Sequence, residues 1–202
     1  MSAGTARIAL LLLAVLAVGG VLVSRGASEE DIVQPGPSVV APEDLPVLTE
    51  SAPPVEATGW LNSEPLAPAD LQGKVVLYDF WTFGCYNCEN TLPWLKAWHA
   101  RYATDGLVLL SVHTPEFDYE ADPDNVAAYV ADEGIEYPVA LDPEKTTWRA
   151  FENRAWPAFY LHDQQGRRRY RHIGEGRYAE TEGAIRALLN VEPDAPFADT
   201  PT

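Results

Sequence analysis

Residues 74–95 read KVVLYDFWTFGCYNCENTLPWL and contain the only two cysteines of the chain, Cys85 and Cys88. Residues 75–78 form a short β-branched and aromatic run, which predicts a buried strand. Beyond the cysteines the apolar residues follow helical spacing and share one face: Leu92, Leu95 and Trp98. The sequence therefore predicts that Cys85 lies where a strand turns into a helix.

This placement predicts redox chemistry for the two cysteines. Unpaired backbone N–H groups and the positive end of the helix dipole stabilise a thiolate at a helix N-terminus, and the thiolate is the reactive form of cysteine. Cys88 follows one turn later, where it can attack a mixed disulfide on Cys85. A purely structural disulfide fits less well, because a bridge this short constrains the unfolded chain little. Half of a zinc site also fits less well, because structural zinc usually needs four ligands.

The segment DFWTFGCYNC resembles the active-site segment of the thioredoxin superfamily, in which Asp79 matches a buried acid and Pro93 matches a helix-kinking proline. The segments GWLNSEPL, VHTPEF, WPAFYL and GEGRY are similar to the membrane-tethered TlpA/ResA-like branch, and most of all to the thioredoxin-like domain of DipZ-type cytochrome c biogenesis proteins. The resemblance covers residues 55–191. It implies an α/β thioredoxin fold with a central mixed β-sheet flanked by helices, and a TlpA-like insertion before the cis-proline strand.

The resemblance also implies roles for residues away from the cysteines. Trp156-Pro157 matches the cis-proline site, where the backbone of Trp156 would pair with a substrate strand. Asp79 would take the proton of Cys88, because burial in an apolar strand raises a carboxyl pKa toward a value useful for acid–base catalysis. An exposed edge carboxylate is the alternative for Asp79, and Glu116 is the rival acid.

The aromatic residues Trp81 and Phe83 are predicted to shape the rim around Cys85 and contact substrate, although aromatic residues at this spacing are also ordinary core. Three histidines show no metal-ligand spacing and are interpreted as surface or packing residues: His99, His162 and His172. No metal and no cofactor is expected.

The N-terminal part predicts export. Residues 8–23 are apolar and lie between two arginines, which predicts a signal anchor over residues 1–26, with a cleaved signal peptide as the alternative. Residues 27–54 are proline-rich and predict an extended linker. Residues 55–191 form the predicted thioredoxin-like domain, and residues 192–202 predict a disordered acidic tail.

The sequence as a whole predicts an extracytoplasmic thiol–disulfide oxidoreductase that reduces protein disulfides, by resemblance for cytochrome c maturation. The formal net charge of −16 argues against nucleic acid as a partner. A reductant outside the cytoplasm needs electrons, so the resemblance implies a CcdA/DsbD-like membrane electron donor. The alternatives are an oxidant of secreted proteins, a thiol peroxidase, and a copper-binding module that uses the cysteine pair.

Overall fold

A computed structural model describes residues 41–199, so the predicted signal anchor lies outside the described residues. These residues form a mixed sheet of six strands in the order β1-β4-β3-β2-β5-β6. The strands are β1 Gly59–Leu61, β2 Val75–Trp81, β3 Leu107–His113, β4 Val139–Leu141, β5 Ala158–His162 and β6 Arg168–Ile173. The α-helices are α1 Tyr86–Tyr102, α2 Pro123–Asp132, α3 Thr146–Ala150 and α4 Tyr178–Leu189. No helix within residues 41–199 is long and apolar enough to cross a bilayer.

Strand β2 is the centre of the sheet and carries the predicted transition. The strand pairs in parallel with β3 and antiparallel with β5. All seven of its residues are buried, because a hydrophobic core packs on each face. A strand buried on both faces reads as a near-continuous apolar run, and here only Asp79 interrupts that run. The strand ends at Trp81 and α1 begins at Tyr86, which confirms the predicted strand-to-helix transition.

Side chains of β2 alternate between two cores, as the period of a strand requires. Leu77 and Trp81 face the core that α1 and α4 cover. Tyr78 and Phe80 face the second core, on the other side of the sheet. Asp79 has the same parity as Leu77 and Trp81, so it lies on the face that α1 covers.

Several predicted elements are shorter in the structure. The sequence of residues 137–141 predicts a short strand, but in the structure β4 begins at Val139, since Pro138 has no N–H to donate to a ladder. The sequence of residues 143–151 predicts a helix, but in the structure α3 begins at Thr146. The Asp142 side chain accepts from the backbone N–H groups of Thr147 and Trp148 at 3.1 and 2.8 Å. A helix and a strand do lie between β3 and β5, and their assignment as a TlpA-like insertion stays a prediction.

The second half of the predicted linker is packed, contrary to the expectation of an extended spacer. Leu45 is buried, and the Arg169 guanidinium donates to the carbonyl of Pro42 at 2.7 Å and to that of Leu45 at 3.1 Å. The backbone N–H of Leu48 donates to the carbonyl of Arg168 at 2.7 Å. The segment therefore covers the free edge of β6, where unpaired backbone groups need partners.

The prediction of a disordered tail is also wrong for residues 192–199. The buried Arg186 side chain of α4 donates to the carbonyls of Glu192, Ala195 and Pro196 at 2.8–3.0 Å. Its guanidinium lies 4.0 Å from the ring centroid of Phe197. One buried cation thus satisfies several tail carbonyls, which holds an acidic, proline-containing segment against the domain.

We expect Arg186→Ala to lower the free energy of unfolding by about 2–4 kcal/mol, because it removes the buried guanidinium that donates to three carbonyls of the tail. The variant should also lose its tail to carboxypeptidase faster than the wild type does. Urea unfolding and mass spectrometry measure the two effects. Arg149→Ala, at an exposed position with one 3.4 Å bond, is the matched control, and equal effects of the two variants would contradict the tail assignment.

Candidate active site

The two cysteines lie at the start of α1 and differ in accessibility. Cys85 is the N-cap of the helix, and its Sγ accepts the backbone N–H of Cys88 at 3.3 Å. The two side chains form a disulfide, with their Cα atoms 5.2 Å apart. Cys88 is 4% exposed whereas Cys85 is only partly buried. The geometry therefore makes Cys85 the sulfur that a substrate can reach and Cys88 the internal partner.

Asp79 is a buried acid, and the exposed-edge alternative is wrong. The side chain is 1% exposed, and burial raises the pKa of Asp79 to about 7 although a hydrogen bond from Ser111 opposes the shift. The Ser111 hydroxyl donates to Oδ2 at 2.9 Å, while Oδ1 has no hydrogen-bond partner among the described residues. A carboxyl with this pKa can accept or donate a proton near neutral pH.

The Trp156–Pro157 peptide bond is cis, as the resemblance implies. Ala158 pairs with Phe80 of β2, so Pro157 lies at the same sheet edge as the cysteine segment. The carbonyl of Pro157 accepts the N–H of Gly174 at 2.8 Å. Trp156 is partly exposed and packs on Trp148 with ring centroids 4.4 Å apart. The binding of substrate by Trp156 stays a prediction.

The predicted rim aromatics have different environments. Trp81 is 5% exposed and packs edge-on against His113 at 5.0 Å, so the core alternative describes it better than the rim. Phe83 is partly exposed and stacks on His113 and Tyr129 with centroids 5.6 Å from each. Burial lowers the pKa of His113 to about 4, which keeps its ring neutral at pH 7.

The acid beside the cysteine segment is Glu120, a residue that the sequence analysis missed. The predicted acid, Glu116, has an exposed side chain. The Glu120 side chain is 0% exposed and accepts the backbone N–H of Gly84, immediately before Cys85, at 3.1 Å. Its carboxylate also accepts the N–H groups of Glu116 and Phe117 at 2.6 and 3.0 Å. The structure therefore brings Glu120, not the Glu116 side chain, to the loop that carries Cys85.

The surface at this edge carries exposed apolar side chains among acidic ones such as Glu116 and Asp118. Six large apolar side chains are exposed within residues 41–199. Four of them lie in the cysteine segment, in the turn after β3 or at the end of β6: Tyr86, Phe117, Tyr119 and Ile173. Clustered exposed apolar side chains mark interaction sites more often than scattered ones do.

The histidines outside the site are packing or surface residues. His162 is 1% exposed and lies edge-on to Tyr78, with ring centroids 5.1 Å apart. His99 packs against Tyr137, and His172 is half-buried. Within residues 41–199 no three His, Cys, Asp or Glu side chains are grouped so that they could hold a metal ion.

Comparison with known proteins places this geometry in a family. The AhpC/TSA family matches residues 48–171. Protein DipZ of Mycobacterium tuberculosis (strain CDC 1551 / Oshkosh) is 47% identical over 136 residues, which are 66% of this chain and 20% of that protein. The chain thus spans about a fifth of the length of this curated relative. Thiol-disulfide oxidoreductase YkuV of Bacillus subtilis (strain 168) is 30% identical over 140 residues, 68% of this chain and 94% of that protein.

A solved structure is similar to this chain in fold. The solution structure of a thioredoxin-like protein in the oxidized form superposes with a TM-score of 0.64 at 27% identity. The match covers 71% of this chain and 98% of that chain. The mixed sheet with flanking helices is therefore a thioredoxin fold, as predicted.

We expect Asp79→Asn to change how stability depends on pH. The carboxyl has a pKa of about 7 in the folded protein and of about 3.9 in an unfolded chain. Between these values only the unfolded chain loses the proton, so the wild type loses stability as the pH rises. The free energy of unfolding of the variant, relative to that of the wild type, should grow by on the order of 4 kcal/mol from pH 4 to pH 8.

Urea unfolding of the oxidised proteins at several pH values measures this difference. Asp132→Asn, at an exposed position, should follow the wild-type curve. A constant difference between Asp79→Asn and the wild type across this pH range would show that Asp79 is ionised throughout.

Proposed function

The chain belongs to the AhpC/TSA family, in the TlpA/ResA-like part of the thioredoxin superfamily, and from this premise we propose that it is a thiol–disulfide oxidoreductase acting on protein disulfides. The observation that carries the proposal is the Cys85–Cys88 pair at the N-terminus of α1. An accessible cysteine at a helix N-terminus, with a buried cysteine one turn later, suits a nucleophile and a resolving thiol.

The proposed first step begins with the reduced pair. The Cys85 thiolate attacks one sulfur of a substrate disulfide, the substrate S–S bond breaks, and the other substrate sulfur leaves as a thiolate that takes a proton from water. A mixed disulfide between Cys85 and the substrate remains. The helix N-terminus stabilises the thiolate that starts this step.

The second step releases the substrate. The Cys88 thiol gives its proton to the Asp79 carboxylate and attacks the Sγ of Cys85. The bond between Cys85 and the substrate breaks, and the second substrate sulfur leaves as a thiolate that takes a proton from water, while Asp79 later releases its proton to water. The enzyme ends as the Cys85–Cys88 disulfide, and the substrate has gained two electrons and two protons. Asp79 suits the proton transfer because its pKa of about 7 leaves a fraction of the carboxyl ionised at neutral pH.

A polypeptide substrate fits the surroundings of Cys85. The backbone of Trp156, before the cis-proline, lies at the same sheet edge and would pair with an extended substrate segment. The exposed side chains of Tyr86, Phe117 and Tyr119 offer apolar contacts near the nucleophile. Phe83, partly exposed beside them, adds to this surface.

The proposed direction and place of the reaction rest on the resemblance and on the N-terminal sequence. The proposed enzyme is an extracytoplasmic reductant of the cytochrome c maturation type, tethered by an anchor at residues 1–26 and a linker that continues to the packed segment at residue 41. Similarity to DipZ and the apolar residues 8–23 support this proposal. A CcdA/DsbD-like membrane protein would return electrons to the Cys85–Cys88 disulfide.

We expect Cys88→Ser to trap a covalent complex, because it removes the resolving thiol. Mixed with a disulfide-bonded protein such as insulin, the variant should accumulate a mixed disulfide on Cys85, visible on non-reducing gels and by mass spectrometry. Cys85→Ser is the matched control and should trap much less, since Cys88 is buried.

Trapping through Cys88 instead of Cys85 would contradict the assigned roles.

The same proteins also distinguish the proposed reductase from a thiol peroxidase. Oxidation of Cys85 by peroxide that is fast compared with its reaction with insulin, through a sulfenic acid, would favour a thiol peroxidase over the proposed reductase.

A further inference from the structure

Glu120 is a buried carboxylate that connects two loops at the edge of the sheet. Its Oε2 accepts the backbone N–H groups of Glu116 and Phe117 in its own turn, and its Oε1 accepts the N–H of Gly84 at 3.1 Å. Gly84 is joined to Cys85 by one peptide bond. One carboxylate therefore fixes the turn after β3 against the backbone that positions the nucleophile.

The contact leaves no room for a side chain at position 84 while Glu120 and Tyr119 stay in place. A Cβ added to Gly84 would lie 2.6 Å from the Tyr119 hydroxyl and closer still to Oε1 of Glu120. Real Cβ atoms do not approach other atoms this closely, so a side chain at Gly84 would push the carboxylate or the loop away. Gly84 and Glu120 thus depend on each other.

Glu120 is ionised and lacks a cationic partner. Burial alone would raise its pKa, but hydrogen bonds from the backbone of Phe117, Glu116 and Gly84 and from the Thr82 hydroxyl hold the pKa of Glu120 below its usual value. None of the ion pairs formed within residues 41–199 includes Glu120.

The titratable groups around Glu120 do not neutralise it. His113 of β3 faces it, and burial lowers the pKa of that ring to about 4, so the imidazole is uncharged at pH 7. Tyr119, in the same turn, has its pKa raised by desolvation and then by Glu120, and Glu116 is a further acid. The negative charge beneath the Cys85 loop is therefore uncompensated by these groups.

We propose that Glu120 is a positioning residue that fixes the Gly84–Cys85 backbone and whose negative charge destabilises the Cys85 thiolate, which keeps the cysteine pair reducing. The proposal deepens the proposed function and rests on it. A like charge nearby disfavours the charged form of a group. The helix N-terminus stabilises the thiolate, and Glu120 opposes that effect from the side of the preceding residue.

The redox consequence follows from the balanced couple. The disulfide takes up two electrons and two protons to give two thiols, and at a pH where Cys85 ionises the thiolate adds to the stability of the reduced form. A destabilised thiolate therefore lowers the reduction potential. The converse case is DsbA, a strong oxidant because its reduced form is stabilised.

The test compares Glu120→Gln with the wild type in glutathione buffers. Glutamine keeps one oxygen acceptor and removes the charge. We expect the Cys85 pKa, followed by the rate of iodoacetamide alkylation against pH, to fall by about one unit. The equilibrium 2 GSH + disulfide ⇌ GSSG + dithiol should shift toward the reduced protein by up to about tenfold, which corresponds to a potential about 30 mV higher.

Asp118→Asn is the matched control, because it removes an exposed charge from the same turn. It should move neither quantity by more than a small fraction of the Glu120→Gln effect. An unchanged or higher Cys85 pKa in folded Glu120→Gln, or an equal shift in Asp118→Asn, would overturn the proposal. Circular dichroism and thermal unfolding of both redox states establish that the variants are folded.

If Glu120→Gln does not fold, the Cys85 pKa of the wild-type protein tests the proposal. A Cys85 pKa at or above about 8 would support the proposal, because a cysteine at the start of a helix in a Cys-X-X-Cys motif otherwise has a pKa of about 3.5–7.5. A value well below about 7 would overturn it. Failure of the proposed function is distinguishable, since no reversible two-electron couple would then be found in the wild type, Glu120→Gln or Asp118→Asn.

Discussion

The hydrogen bond from the Cys88 N–H to the Sγ of Cys85 marks the constraint on which the site depends: the nucleophilic sulfur caps a helix. That position exists only because β2 ends at Trp81 and α1 begins at Tyr86, so the chain must turn from a fully buried strand into a helix within four residues. The cysteines thereby follow the carboxyl-terminal end of β2, and the remaining groups come from β2 itself and from segments next to its neighbouring strands β3 and β5. Asp79 lies within β2, Pro157 precedes β5, and Glu120 follows β3.

The two buried carboxyls of the site, Asp79 and Glu120, differ in protonation and therefore in the role that we assign to each. Asp79 has one unpaired oxygen and a pKa raised to about 7 by burial, so its proton can move. Glu120 is just as buried but accepts several N–H groups, so it stays ionised. Hydrogen bonding to the charged form is what separates the two. Asp79 therefore suits proton transfer, whereas Glu120 binds the backbone and keeps a negative charge beside it.

Local pattern was sufficient to predict the central elements. The apolar run of β2 and the helical spacing of α1 are properties of contiguous residues, and their faces follow from strand and helix periods. The burial of Asp79 followed from its place inside an apolar run. The resemblance supplied the cis bond before Pro157, which composition alone would have left as an ordinary strand-starting proline.

The packed linker, the ordered tail and the role of Glu120 depend on contacts between residues that are far apart in the sequence. Arg169 binds carbonyls more than a hundred residues earlier in the chain, and the tail is ordered because Arg186 satisfies its carbonyls. In the acidic turn of residues 116–120 both glutamates resemble solvated residues, and only the approach of Gly84 distinguishes Glu120. The sequence left rim and core open for Trp81, and its contacts with His113 and Tyr129 place it in the core.

The most direct test of the account is the reduction potential of the Cys85–Cys88 pair, measured by equilibrating the protein with thiol buffers and following tryptophan fluorescence. A membrane-fed reductant of protein disulfides should have a potential near or below that of thioredoxin, about −270 mV. A potential near that of DsbA, about −120 mV, would make the protein an oxidant and contradict the proposed direction of electron flow.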